Sequence, residues 1–247
     1  MTHKVRKITA FISFLLFPLT LNFFSPYVSI DGAMMGIISG SLIVFMVLFL
    51  SGLIFRRAWC SYVCPWAAPS DYLMSVNNKS VHSRKLAIIR YSIFGVWATV
   101  LILFFILAGG IKGIDPLHLT ERYVSIDEPT KFITYYMVVL ILFLTTVLIG
   151  KRGACHSICW MSPFLVLGSW VGSKLRMPQF KVISQKESCI ACKKCNQVCP
   201  MSIDVLKELQ NNQINSYDCI LCGQCTEVCP KSVLTIKLHH PKSEVKQ

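Results

Sequence analysis

Apolar and polar positions in this chain separate into long blocks, without the short alternation of a half-buried strand or the one-sided stripe of a surface helix. The first block, Ile8–Phe24, runs seventeen residues without a charge and follows Lys4, Arg6 and Lys7. It exceeds the roughly 7–15-residue core of a signal peptide, and Asn22-Phe23-Phe24-Ser25-Pro26 offers no small-residue cleavage site, so an uncleaved first span is expected. Ala33–Phe55, Tyr91–Ala108 and Phe132–Gly150 are the next blocks. Each approaches or exceeds the ~20 apolar residues with which a helix crosses a ~30 Å hydrocarbon layer. Twelve Ile, Leu, Val or Phe residues in the last, at roughly −0.4 kcal/mol each, supply about −5 kcal/mol of insertion energy. The pattern predicts a membrane all-α domain of four transmembrane helices over residues 1–172. Met161–Val171 is apolar too, but eleven residues are too few to cross, which predicts an interfacial or re-entrant segment. A linker at 173–183, a small α+β domain at 184–238 and a tail at 239–247 complete the expected order.

Composition agrees with this reading. Of 247 residues 53% are hydrophobic and only 15% charged, against about 25% in an ordinary soluble domain. The net charge of +13 is distributed unevenly. The N-terminus, the segment after the second span (Arg56, Arg57, Lys79, Arg84, Lys85) and everything after the fourth are basic, whereas the 25–32 and 109–131 loops hold only Lys112, Arg122 and Lys131. Basic loops stay inside, so a multi-pass protein of the cytoplasmic membrane with both termini cytoplasmic is expected. The same charge favours contact with anionic lipid headgroups, at about 1 kcal/mol per residue near the surface. No compact soluble segment concentrates it, so nucleic acid is not an expected partner.

Twelve cysteines change the picture from a plain membrane protein to a redox one. Cys189-x2-Cys192-x2-Cys195-x3-Cys199-Pro200 recurs thirty residues later as Cys219-x2-Cys222-x2-Cys225-x3-Cys229-Pro230. A 4Fe–4S cube needs four converging thiolates; three close cysteines wrap three corners, and the fourth, before Pro, ligates the other cluster. The pattern therefore assigns one cluster to Cys189, Cys192, Cys195 and Cys229, and the other to Cys219, Cys222, Cys225 and Cys199. Structural zinc uses two separated pairs instead. Lys193 and Lys194 beside one cluster suit a raised cluster potential, a docking face or a plain solvated surface.

The other four cysteines form a second repeat. Arg56-Arg57-Ala58-Trp59-Cys60-x3-Cys64-Pro65 ends the second span, and Lys151-Arg152-Gly153-Ala154-Cys155-x3-Cys159-Trp160 ends the fourth. Two basic residues precede each C-x3-C pair by the same number of positions, so the matched ends would bring both pairs to one depth. A third 4Fe–4S cluster, a redox-active thiol set and a soft copper site would all use these metal-ligand candidates, and free cysteines also pack as small hydrophobes.

Taken together, four spans, two C-x3-C pairs and a C-terminal two-cluster module resemble the NapH-type membrane quinol dehydrogenase subunits, related to the NosR and CcoG groups of polyferredoxin membrane proteins; the last segment resembles the bacterial two-cluster ferredoxin. The resemblance implies oxidation of a quinol from the quinone pool and delivery of electrons through iron–sulfur centres to partner redox subunits or soluble ferredoxin-like carriers. Trp160 stands where the family motif has Pro after the second pair. Two other readings remain: a copper-handling, CcoG-like reductase or assembly factor, and a non-catalytic anchor for a ferredoxin domain. His3, His82, His118, His156, His239 and His240 all fall outside the expected spans, so no intramembrane haem ligands are expected. Asp115, His118, Glu121, Asp127 and Glu128 are candidate proton acceptors, and Trp59, Trp66, Trp160 and Trp170 candidate interfacial anchors or cleft-lining rings.

Overall fold

A computed structural model describes residues 3–81, 83–120, 124–126 and 129–240. The membrane part contains α1 (His3–Leu15), α2 (Phe17–Thr20), α3 (Pro26–Met35), β1 (Ile37–Ser39), α4 (Gly40–Phe55), α5 (Trp59–Tyr62), α6 (Ala67–Leu73), α7 (Ser83–Leu107), β2 (Gly113–Asp115), α8 (Pro129–Ile149), α9 (Gly153–Ser157) and α10 (Ser162–Lys174). The C-terminal module follows with β3 (Gln179–Ser184), α11 (Lys194–Val198), α12 (Val205–Glu208), α13 (Gln224–Glu227) and β4 (Leu234–His239).

Among the described residues two helices, α7 and α8, are long and apolar enough to cross a bilayer, or three if the bent first span counts as one, where the sequence leads one to expect four. The first expected span bends by 61° between α1 and the Phe17–Phe24 segment. Pro18 accounts for the break, because its ring removes a backbone donor and clashes with the carbonyl four residues earlier. The second is interrupted at Gly36, which takes φ 74° and stops α3. Ile37–Ser39 then pairs in parallel with Gly113–Asp115, and the chain resumes as α4. Sixteen residues give α4 a length of about 24 Å, short of a full crossing.

The Met161–Val171 segment folds as α10 and lies beside α4, running in the same direction. Phe164 stacks on Phe45 with ring centroids 5.1 Å apart. Further along, a Cβ on Gly168 would collide with the Phe49 carbonyl, and one on Gly172 with the Leu53 carbonyl. Small residues spaced by four let two helix backbones approach this closely. Because α10 starts level with the middle of α4, the 150–161 segment must first dip back among the helices.

In the C-terminal module β3 and β4 form an antiparallel ladder from Gln179↔His239 to Ser184↔Leu234. Residues 179–183, expected in the linker, thus belong to the module's sheet. Gln179 is buried, and its Nε2 donates to the carbonyls of Leu53 (3.0 Å) and Ser169 (2.8 Å), which fixes the sheet to α4 and α10.

Candidate functional site

The C-terminal module repeats its backbone as well as its cysteines. Ala191 and Leu221, Lys193 and Gly223, and Ser202 and Ser232 are pairs thirty residues apart, and all six have left-handed φ between 50° and 77°. For the five that are not glycine this costs roughly 1–2 kcal/mol each. Alternation of left- and right-handed residues folds a loop into a nest of inward N–H groups, the geometry that cradles iron–sulfur clusters. The loops enclose two small voids of equal size, ≈ 20 Å³ each. Cys189, Cys192, Cys195 and Cys229 line one; Cys199, Cys219, Cys222 and Cys225 line the other. The structure thus gathers the same two sets that the spacing pairs, with Cys199 and Cys229 each crossing to the opposite half.

The membrane cysteines are gathered by a different device. After α4 and α8 the chain turns sharply, at Arg56 (φ 52°) and Arg152 (φ 47°), into the short helices α5 and α9 that carry Cys60 and Cys155. Cys60 and Cys64 are buried, and Cys155 and Cys159 are half-buried. Burial pushes the Cys155 thiol up to about 11, with Arg152 pulling the other way and Cys159 and Cys60 adding to the rise. Cys64 is held well above the ordinary thiol value by burial and by its three companions. All four thiols therefore act on one another.

Five arginines, Arg6, Arg56, Arg57, Arg90 and Arg152, are almost fully buried around this set and at its border with the module. Arg152 donates to the Cys60 carbonyl (3.0 Å) and to Asp71 (2.7 Å), whose other oxygen accepts from Arg6 (2.6 Å). Arg57 donates to Asp218 (2.6 Å), which also accepts from Arg90 (3.2 Å); Arg90 reaches the Cys155 carbonyl at 3.4 Å. Burial raises both carboxyls, but the arginine pairs more than offset it and hold Asp71 and Asp218 below the usual carboxylate range. Arg56 ties the module on, donating to the carbonyls of Ile214, Asn215 and Ser216 at 2.8–3.0 Å.

Four guanidiniums against two carboxylates leave an excess of positive charge beside the four thiols. Arg57 Nε and Nη2, Arg90 Nε, Arg152 Nε, Trp59 Nε1 and His156 Nε2 are moreover buried without a hydrogen-bond partner. Leaving such groups unpaired costs about 1–3 kcal/mol each. N–H donors and net positive charge are what an anionic thiolate-ligated cluster needs around its sulfurs, so these residues fit that group. Burial lowers His156 to about 4; Asp218 opposes this, and the charges of Arg57, Arg90 and Arg152 add to it, so the ring stays neutral. Among the described residues no three Cys, His, Asp or Glu side chains close on a point suited to a single metal ion.

An apolar cavity of ≈ 310 Å³ opens beside the membrane cysteines. Phe17, Leu21 and Phe24 from the broken first span form one wall, and Thr134, Val138 and Leu142, one face of α8, form another. Cys64, Cys155, Cys159, Trp66 and Trp160 close its inner end. Trp160 is fixed by a 2.7 Å bond from Nε1 to the Phe24 carbonyl. Trp59 packs beside the cysteines without reaching the cavity, and Trp170 is exposed. His118 bonds Asp31 at 2.7 Å, with Asp115 4.0 Å from its other nitrogen; none of the three lines the cavity. His82, Glu121, Asp127 and Glu128 lie outside the described residues.

Residues 181–230 match the 4Fe-4S dicluster domain family, and residues 37–86 and 132–178 each match a 4Fe-4S binding domain family. The chain carries ferredoxin-type 4Fe-4S domains. The second family covers both halves of the membrane repeat, one C-x3-C pair in each. Relatives include the Escherichia coli K12 protein YccM, whose name assigns it to electron transport, 26% identical over 192 residues. Another is the methylamine utilization ferredoxin-type protein MauN of Methylobacillus flagellatus, 29% identical over 192 residues. Each match covers 74% of this chain, but the chain spans only 52% of YccM and 62% of MauN. No solved structure matches.

Sequence reasoning did not find Asp71, Asp218, Arg90 or the cavity. Arg56-Arg57 and Lys151-Arg152 are legible in the sequence as topology signals and as markers of the repeat, but not as partners of Asp71 and Asp218. The available clue was Asp71 and Asp218 themselves, two of the few acids in strongly basic segments.

Proposed function

We propose that this chain is a membrane-bound iron–sulfur subunit that passes electrons between a quinol and a partner oxidoreductase, with the cysteine-bearing ends of its helices on the cytoplasmic side. Two 4Fe–4S clusters would sit on the two four-cysteine sets of the module, and a third on Cys60, Cys64, Cys155 and Cys159. The clusters supply one-electron acceptance, which divides the two electrons of a quinol into single steps. The observation that carries the quinol reading is the cavity. Its walls are apolar enough for a substituted ring with an isoprenoid tail, Tyr27 and Thr134 offer hydrogen bonds to ring oxygens, and three of the four membrane cysteines lie in its wall. A quinol oxidised there loses two electrons and two protons, the protons leaving to water.

The test is reduction of the anaerobically purified protein by a soluble quinol, followed by bleaching of the cluster absorbance. Wild-type protein should bleach, and Val138→Trp, which fills the cavity, should not, while both bleach with dithionite. Wild-type clusters that dithionite reduces and quinol does not would overturn the reading. The copper alternative predicts instead stoichiometric copper binding that Cys60→Ser and Cys155→Ser abolish.

A further inference from the structure

The two halves of the C-terminal module share one backbone but face different surroundings. Asp218, next to Cys219, is held by Arg57 and Arg90 from the membrane part, and the charge of Arg152 acts on both Cys155 and Cys222. The Cys199/Cys219/Cys222/Cys225 void is therefore the one against the membrane cysteines. Cys225 and Cys195 in turn act on each other across the gap to the second void. That second void, lined by Cys189, Cys192, Cys195 and Cys229, is the far one, and Cys192 is exposed.

Side chains at matching positions follow this asymmetry. Ile220 is 2% exposed and its counterpart Ile190 is 58% exposed. Where the near half carries Gly223, Gln224 and the buried Met201, the far half carries Lys193, Lys194 and Lys231, all exposed on the rim of the void. Of the acids beside this half, Asp204 is occupied by Asn196 and the Lys207 amide, and Glu208 by the amides of Asn215 and Ser216. None of the three lysines is needed to enclose a cluster, since the near half encloses its void without them.

We infer that the rim of the far void is a docking face for a soluble electron-carrier protein with an acidic surface around its own redox centre. Ile190 and Pro230 give the face an apolar centre, and Lys193, Lys194 and Lys231 a positive border. Rim charges of this kind steer encounter and fix orientation, and they weaken as salt screens them. Each docking moves one electron between the chain's reduced or oxidised far centre and the carrier's, with no bond made or broken. The inference rests on reading residues 181–230 as a two-cluster module, which iron analysis checks separately.

The probe is a soluble acidic two-iron ferredoxin, and the readout is its binding to the full-length, cluster-loaded protein in neutral lipid nanodiscs. Wild-type protein should bind it, less tightly as salt rises. A triple Lys193→Gln, Lys194→Gln, Lys231→Gln variant with unchanged iron content should bind about tenfold more weakly or worse, on the order expected for three rim charges. A control triple, Lys112→Gln, Lys174→Gln, Lys237→Gln, should stay within about twofold. No binding by iron-replete wild type, equal loss in both triples, or a salt-independent affinity would each overturn the docking face. Loss of iron in the wild type would instead overturn the two-cluster reading.

Discussion

The two membrane repeats end in the same motif yet are built from helices of opposite character. In the second, α7 and α8 are continuous, with only 11% and 6% of their apolar windows buried, so they present their sides outward. In the first, the helices are broken at Pro18 and Gly36, and α4 is pressed against α10. The first of these breaks shapes the cavity. Phe17, Leu21 and Phe24, at and beyond the bend, line one wall of the cavity, and Phe17 packs on Tyr135 of α8 with ring centroids 5.6 Å apart. Irregular backbone at this depth is tolerated where protein covers it, and here Asn22 bonds Ser125, Leu119 and Thr120. One repeat thus supplies the outer wall, and the other the space next to the cysteines.

If the two repeats contribute equally to one cluster, removing a cysteine from either should have the same large effect. Cys60→Ser and Cys155→Ser should each lower the iron content from about twelve to about eight per chain, with acid-labile sulfide falling in parallel. Eight irons in the wild type and in both variants would show that the membrane cysteines hold no cluster. A loss confined to one variant would show that the pairs do not share a site.

The next effect concerns the buried charges. Asp71 serves the arginine of the second repeat, Arg152, and Asp218 that of the first, Arg57. Asp71→Asn and Asp218→Asn each leave two buried guanidiniums without a counter-charge, which costs about 3–5 kcal/mol when a buried pair is broken. Both should lower the thermal midpoint of the purified protein by a similar amount; a shift within error of wild type in either would show that its pair is not structural. The pH dependence of the Asp71 pair has a definite sign. Its folded-state value lies below the unfolded one, so its contribution is complete above about pH 4 and is lost as the pH falls through the folded value. Between pH 5 and pH 8 the wild type and Asp71→Asn should therefore differ by a constant amount, a range set by the unperturbed carboxylate value.

How much of this was legible in the sequence depends on what kind of signal each element leaves. α7 and α8 are legible because an unbroken apolar run has one physical solution in a membrane. The first two spans read as continuous because Phe17-Pro18-Leu19 and Gly36-Ile37-Ile38 keep the hydropathy high while their backbone chemistry stops the helix. Hydropathy is blind to the helix-stopping chemistry of Pro and Gly, which act as punctuation inside an apolar run. The two module cysteine sets were legible because their spacing is local and repeated. The arginine–aspartate pairs were not, since Arg57 meets a partner 161 positions away and no local pattern encodes that contact.

The smallest effect is the sharpest comparison of the two repeats. Gly52 in α4 and Gly95 in α7 are both glycines within apolar helices, where alanine is intrinsically the better helix former by ~1 kcal/mol. Around Gly52 a methyl group would come within 2.8 Å of the Leu165 carbonyl, a rigid backbone atom of α10, so the helices must separate. Around Gly95 it would meet nothing within 4 Å. Gly52→Ala should therefore destabilise by roughly 1–3 kcal/mol, the usual range for overpacking. Gly95→Ala should be neutral or stabilise by up to ~1 kcal/mol, because only the helix-propensity term remains. Thermal midpoints of the two variants, measured side by side, should thus move in opposite directions or leave Gly95→Ala unchanged. Equal destabilisation would mean that the Gly95 face of α7 is packed as the Trp97 side already is, and the contrast between the two glycine positions would have to be given up.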